Sequence, residues 1–218
     1  MKSGYLVRLL KEISDIMEEN KEYLIDLDSI VGDGDLGLTM SDGFKAAYEA
    51  IKDTEEQDAG KLLYIAGKKM ASAVPSTMGT LMASGLMSAG KALKGKNNLD
   101  LQEIGLLFES YQEGVISRGK ANIGEKTFID GLNPAIQSLK KSINNEESLK
   151  EAARKASISS QRGFEETKGM IAVHGRAATR GEASKTLYDP GACVAALMMQ
   201  AFESSLDRPL KNNSKIDY

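Results

Sequence analysis

From Tyr5 onward the apolar residues fall at Tyr5, Leu6, Leu9, Leu10, Ile13, Ile16 and Met17, the three-to-four spacing of a helix that buries one face. The same rhythm recurs along the chain. With its caps and breakers it predicts further helices near 40–52, 58–73, 78–94, 99–117, 127–143, 147–166 and 190–206, about eight in all. Strand signals are nearly absent: alternating β-branched runs are missing, and the aromatic residues amount to five Phe, seven Tyr and no Trp. The expected fold is all-α, a bundle of amphipathic helices with short antiparallel connections. At 218 residues the chain can bury a sizeable core, and no linker, repeat or low-complexity tract divides it. A single domain over 1–218 is expected.

Charge and cysteine content exclude several function classes. Lys and Arg total 28 against 31 for Asp and Glu, with no basic block, so neither nucleic acid nor an acidic membrane surface is an expected partner. The single Cys193 cannot close an internal disulfide and lies in the apolar run 192–199, as a buried, inert thiol in a reducing cytosol would. Arg8, Lys11 and Glu12 interrupt any signal-like stretch, and no segment offers the roughly 20 apolar residues that span a bilayer. A cytoplasmic location is expected.

The chemistry concentrates in Asp28-Ser29-Ile30-Val31-Gly32-Asp33-Gly34-Asp35-Leu36-Gly37-Leu38-Thr39, which packs carboxylates and glycines into what reads as one short loop. Two carboxylates about 4 Å apart repel by roughly 4 kcal/mol at an effective dielectric near 20, so a third needs a counter-charge. A divalent cation supplies one. A helical pattern starts near Thr39, and its free N–H groups favour an anion beside the same loop. An EF-hand fails on spacing, because the twelfth position from Asp33 is Phe44 and the third from Asp28 is Ile30. Magnesium suits the loop better, since carboxylates, waters and nucleotide phosphates commonly complete its octahedron. A solvated Asp-Gly turn is the bland alternative.

Three other places are candidates. Pro75-Ser76-Thr77-Met78-Gly79-Thr80 presents hydroxyls at a helix start, which is also what an ordinary N-cap requires. Gly119-Lys120-Ala121-Asn122-Ile123-Gly124-Glu125-Lys126-Thr127 resembles a P-loop, but Glu125 stands between the glycine and the lysine and no strand precedes it. The long connection 168–190 is rich in glycine, carries Arg176, Arg180 and the only histidine, His174, and reads as a lid. Its arginines could neutralise phosphate charge or could simply be solvated. A Cys193–His174 nucleophile pair and a zinc site are both poor fits.

Taken together, Asp28 with Gly32 to Gly37, Met78-Gly79-Thr80-Leu81, Gly114 to Ala121, and Gly175-Arg176-Ala177 leading to Asp189-Pro190-Gly191 give a chain that resembles the L subunits of dihydroxyacetone kinases over nearly its whole length. The resemblance implies a barrel of eight antiparallel helices with ADP or ATP at one end. It implies two magnesium ions held by Asp28, Asp33 and Asp35, with Arg176 joining these aspartates in the transfer chemistry. The nucleotide would be lined by Leu36, Gly37, Leu38, Thr39, Met78, Gly79, Gly119, Phe128, Arg176, Asp189, Pro190 and Gly191, with Thr77 as a neighbour. The substrate would sit covalently on a histidine of a separate K subunit. Rephosphorylation by a phosphohistidine M subunit, and a homodimer in the resting state, are further implications.

Many phosphotransferase-type members carry a histidine and an asparagine where this chain has Leu36 and Thr39. The Gly-Asp-Gly-Asp form is similar to an ATP-dependent branch, so ATP exchange stays open as an alternative to the phosphoprotein donor. Two further classes stay open beside the kinase: a nucleotide-dependent regulatory binding module, and an acyl-binding role for the barrel interior.

Overall fold

The computed structural model describes residues 1–207, so the last part of the expected 1–218 domain, residues 208–218, lies outside the described residues. Among the described residues nine α-helices follow one another: α1 (Tyr5–Glu19), α2 (Lys21–Val31), α3 (Leu36–Glu49), α4 (Ala59–Ala73), α5 (Thr77–Ala92), α6 (Leu101–Gly119), α7 (Phe128–Asn144), α8 (Leu149–Glu166) and α9 (Pro190–Asp207). A 3-10 segment, Arg176–Thr186, lies between α8 and α9 and is broken at Gly181. No strand occurs among the described residues, where the only β-type pairing is the isolated bridge between Lys2 and Asn98. Among the described residues no helix is long and apolar enough to cross a membrane.

Eight of the helices close a ring. In order, α1, α3, α4, α5, α6, α7, α8 and α9 each pack on the next, and α9 returns to α1. Three residues join α4 to α5, so two long helices in contact must run antiparallel, and the short links after α5 and α7 impose the same alternation. The seam between α1 and α9 is closed by the Tyr5 hydroxyl against Ser205 Oγ at 2.6 Å, both buried. Inside, Phe108 and Phe202 meet with ring centroids 5.1 Å apart, and Tyr111 donates to Met82 Sδ at 3.2 Å. Met82, Met198 and Met199 therefore fill core space, as flexible thioethers do well, while Met78 packs against the core from the cleft.

The helix starts are where the sequence expects them because side chains cap them. Asp58 accepts from Gly60 N and Lys61 N, Ser76 from Gly79 N, and Ser148 from Glu151 N. Asp100 and Thr127 form reciprocal capping boxes with Glu103 and Asp130. The structure corrects the reading between 20 and 38. Lys21–Val31 is a helix in its own right, burying Leu24, Leu27 and Val31, and α3 begins at Leu36 rather than near Thr39. The turn between them is therefore only Gly32 to Asp35, and Asp28 projects from the last turn of α2. Single-residue separation from α1 and the acidic Asp26 and Asp28 disguise α2 in sequence, although its buried residues keep helical spacing.

Close approach of α7, α8 and α9 depends on small residues. Pro134 inside α7 leaves the Asp130 carbonyl without its helical N–H partner, and Gly163 of α8 packs directly over that carbonyl. A Cβ at Gly163 would lie 2.5 Å from the Asp130 oxygen and 2.9 Å from Pro134 Cγ, neither of which can rotate away. Gly163→Ala is expected to destabilise by about 1–3 kcal/mol, lowering the thermal midpoint by roughly 2–10 °C. Gly4→Ala, where an added Cβ meets nothing within 4 Å, should leave the midpoint unchanged in the same scan.

Candidate functional site

Alternation around the ring brings four helix N-termini to one end: those of α3, α5, α7 and α9. Each presents unpaired backbone N–H groups and the positive end of its dipole. A cleft of about 820 Å³ opens there. Its floor is apolar, with Leu81, Val115, Phe128 and Ile129, and its mouth is polar.

At the mouth stand Asp28, Asp33 and Asp35, whose carboxylate oxygens can all lie within 4.8 Å of one another. Each is put there by a local device. The C-terminal turn of α2 holds Asp28, which accepts from Gly34 N at 2.9 Å. Gly34 makes this bond in the left-handed region (φ 76°), where a side chain would be strained. Asp35 occupies the N-cap of α3, a position where aspartate ordinarily accepts from the first turn, yet its side chain caps nothing. Burial first, then the charges of Asp33 and Asp28, push its carboxyl above the ordinary aspartate range, while Arg176 pulls it down. A set of hard oxygen donors crowded at a mouth of positive helix ends fits a divalent cation such as magnesium.

Arg176 reaches across from the 3-10 segment and donates to Asp33 Oδ2 at 2.5 Å, and Arg180 donates to the Ile30 carbonyl of α2. Both side chains of the Arg176–Asp33 pair are well exposed, so the contact is worth about 0–1 kcal/mol and is readily exchanged for another anion. The connection 168–190 thus closes over the mouth as the lid expected from its composition, though ordered by its 3-10 turns.

The other expected residues distribute as follows. Asp28, Asp33, Asp35 and Leu36 line the cleft from the α2–α3 turn, and Thr77 and Met78 line it from the start of α5. Gly119 does so from the end of α6, Phe128 from the start of α7, Arg176 from the lid, and Asp189, Pro190 and Gly191 from the start of α9. Gly37, Leu38, Thr39 and Gly79 lie off the lining. Gly37 packs on Ile25 of α2, Leu38 is half exposed, Thr39 is buried in the first turn of α3, and Gly79 N donates to the Ser76 cap.

Asp189 caps α9, accepting from Ala192 N at 2.7 Å, while its own N–H donates to Thr167 Oγ1 at 3.0 Å. Burial pushes its carboxyl up to about 7 against the opposing pull of the Ala192 N–H and the nearby Lys126 charge.

Sequence reasoning missed three contributors. Arg118 lines the cleft from the last turn of α6. The Glu125 carboxylate meets His174 Nε2 at 2.5 Å, and bonds from Asn122 first and His174 after them hold Glu125 down to about 2. Lys126, in the P-loop-like run, is buried and turns its ammonium toward backbone carbonyls of the lid. The cap residues Asp130 and Thr127 were legible as a helix start; the lid partners, more than forty residues away, carry no local signal.

Comparison with known proteins follows the same outline. The DAK2 domain family model matches residues 30–204. The PEP-dependent dihydroxyacetone kinase, ADP-binding subunit DhaL, of Escherichia coli (strain K12) is 35% identical over 195 residues, 89% of this chain and 93% of that protein. A protein of the same name, kinase 1 of Listeria innocua serovar 6a, is 32% identical over 90% of this chain and 93% of its own length. Among solved structures, the dihydroxyacetone kinase from C. freundii in complex with AMP-PNP and Mg2+ has a TM-score of 0.70 at 23% identity. The match covers 92% of this chain and 34% of that one, so this chain spans about a third of that enzyme, and the likeness is one of fold. By the extent of the family match and the identity to full-length relatives, the chain belongs to the DAK2 domain family.

Proposed function

We propose that this chain is the nucleotide- and magnesium-binding subunit of a dihydroxyacetone kinase, passing a phosphoryl group to a small ketose presented by a separate K subunit. The observation that carries this reading is the meeting of three carboxylates with four helix N-termini at the mouth of a cleft with an apolar floor. The names of the Escherichia coli and Listeria relatives, and the ligands named for the C. freundii enzyme, support it.

In this reading Asp28, Asp33 and Asp35 hold up to two magnesium ions, which when bound offset the charge of the nucleotide phosphates. The N–H groups at the start of α5, with Thr77 and Met78, receive phosphate oxygens, and Phe128, Leu81 and Pro190 enclose the base. Arg176 leaves Asp33 for the phosphates and neutralises charge as it develops in a loose transition state. The chain's contribution is therefore positioning and charge. The ketose comes on the K subunit, and a phosphohistidine M subunit is the proposed phosphoryl source. A homodimer is the proposed resting form.

Three outcomes are expected. Asp33→Asn should lower phosphoryl transfer to dihydroxyacetone, in an assay reconstituted with a K subunit, by at least a hundredfold, with far-UV circular dichroism unchanged; retained activity would contradict the assignment. Magnesium chloride should raise the thermal midpoint at pH 7, because burial first, and the charges of Asp33 and Asp28 after it, have raised the Asp35 pKa. A carboxyl raised in the fold binds its proton more tightly there than in the unfolded chain, so its ionisation opposes folding above that range until a cation offsets it. Asp35→Asn should accordingly raise the midpoint without metal and lose most of the magnesium-dependent gain, both read in one melting series.

A further inference from the structure

The lid is attached to the barrel at one point of unusual chemistry. Lys126, only 2% exposed, donates from Nζ to the carbonyls of Leu187 at 2.6 Å, Ser184 at 2.7 Å and Thr167 at 2.8 Å, with Met170 at 3.4 Å. An ammonium has three N–H bonds, and the three shorter contacts use them all. No carboxylate lies within ion-pair distance of Lys126 among the described residues. The direct partners of the buried charge are dipolar, and the nearby Asp189 carboxyl adds a longer-range attraction. Thr167 is the C-cap of α8, and Ser184 and Leu187 end the 3-10 segment, so two negative helix ends face the same ammonium. The backbone of Lys126 itself sits in the left-handed region (φ 61°), a conformation that costs a side-chain-bearing residue energy and persists here because the surrounding contacts fix it.

Other contacts flank this point. Glu125 takes His174 by its carboxylate and Val173 N by its carbonyl at 3.3 Å, and Ala172 N donates to Ser184 Oγ at 3.0 Å. Lys126 also immediately precedes Thr127, the N-cap of α7, whose first turn forms part of the cleft floor. The lid it holds carries Arg176 to Asp33 at the mouth.

We propose that Lys126 is a positioning residue, the pin that holds the lid shut over the cleft and thereby sets how long a bound nucleotide stays. It rests on the nucleotide-binding reading above and adds to it a residue at the border of the cleft whose ammonium N–H bonds are spent on carbonyls of the lid and of the α8 end. Loss of the ammonium strands the Thr167, Ser184 and Leu187 carbonyls, so the lid separates from the α8 end and α7 start, while the hydrophobic core of the ring, which does not include Lys126, stays folded.

The test uses the full chain. Lys126→Met keeps the length of the side chain and removes the charge. Stopped-flow release of a fluorescent ADP analogue, with magnesium present, should speed up at least tenfold, and limited trypsin digestion should cut at Arg176, Arg180 and Lys185 at least tenfold faster, with helix content unchanged. Lys126→Cys in a Cys193→Ala background, alkylated with 2-bromoethylamine to restore an ammonium at nearly the same reach, should return both rates to within about threefold of the unmodified lysine. Wild-type rates in Lys126→Met would overturn the proposal. So would loss of helix content, which would make Lys126 a residue of the barrel rather than the lid, and so would failure of the alkylated protein to recover. If the wild-type chain binds no ADP analogue, the functional reading fails, and the trypsin arm still decides whether Lys126 pins the lid.

Discussion

Everything at the candidate site depends on the alternation of helix direction around a closed ring. Because neighbouring helices in the ring run antiparallel, every second N-terminus emerges at the same end, and α3, α5, α7 and α9 emerge at the cleft. Each brings a partial positive charge and several free N–H groups, an environment suited to phosphate without any dedicated anion-binding loop. The three aspartates placed at that mouth do not form an anion site by themselves, since carboxylates there would repel phosphate. A cation between them would make them compatible with it, and the Asp35 carboxyl, raised by burial first and by the Asp33 and Asp28 charges after it, would gain most from one.

The lid answers a different constraint. A cleft formed only by helix ends is open on its outer side, and residues between α8 and α9 cover it with backbone that must find hydrogen-bond partners. Part of that demand is met by one buried lysine, part by the Glu125–His174 contact, and part by Ser184. At its tip the lid is held by exposed arginine contacts, Arg176 to Asp33 and Arg180 to Ile30. The firm attachment is thus at the base of the lid and the exchangeable one at its tip, the distribution that lets Arg176 change partners while the segment stays in register.

Most of the fold was legible because the burial pattern and the caps agree. Asp100 with Glu103 and Thr127 with Asp130 start helices by reciprocal bonds within four residues, and such signals survive in sequence. α2 was hidden because it is short, follows α1 after only Asn20, and ends in the acidic residues that look like loop. At the site, the aspartate cluster and Arg176 could be named from residue type and spacing, while Lys126 could not. Its meaning lies in carbonyls from residues 167 to 187, brought to it only by the packing of α7 on α8 and by the course of the lid. The P-loop likeness of Gly124 and Lys126, set aside on the intervening Glu125 and the missing strand, does not hold in the structure either, which turns the lysine inward and leaves Thr127 to cap a helix.

The central claim is that the carboxylates and the helix ends act together, through a cation, on a nucleotide. Calorimetric titration of ADP into the protein, once with magnesium and once with excess EDTA, tests it most directly. The account predicts binding that weakens at least a hundredfold without the metal, because three carboxylates then face the diphosphate unscreened. Equal affinity in the two titrations would contradict it.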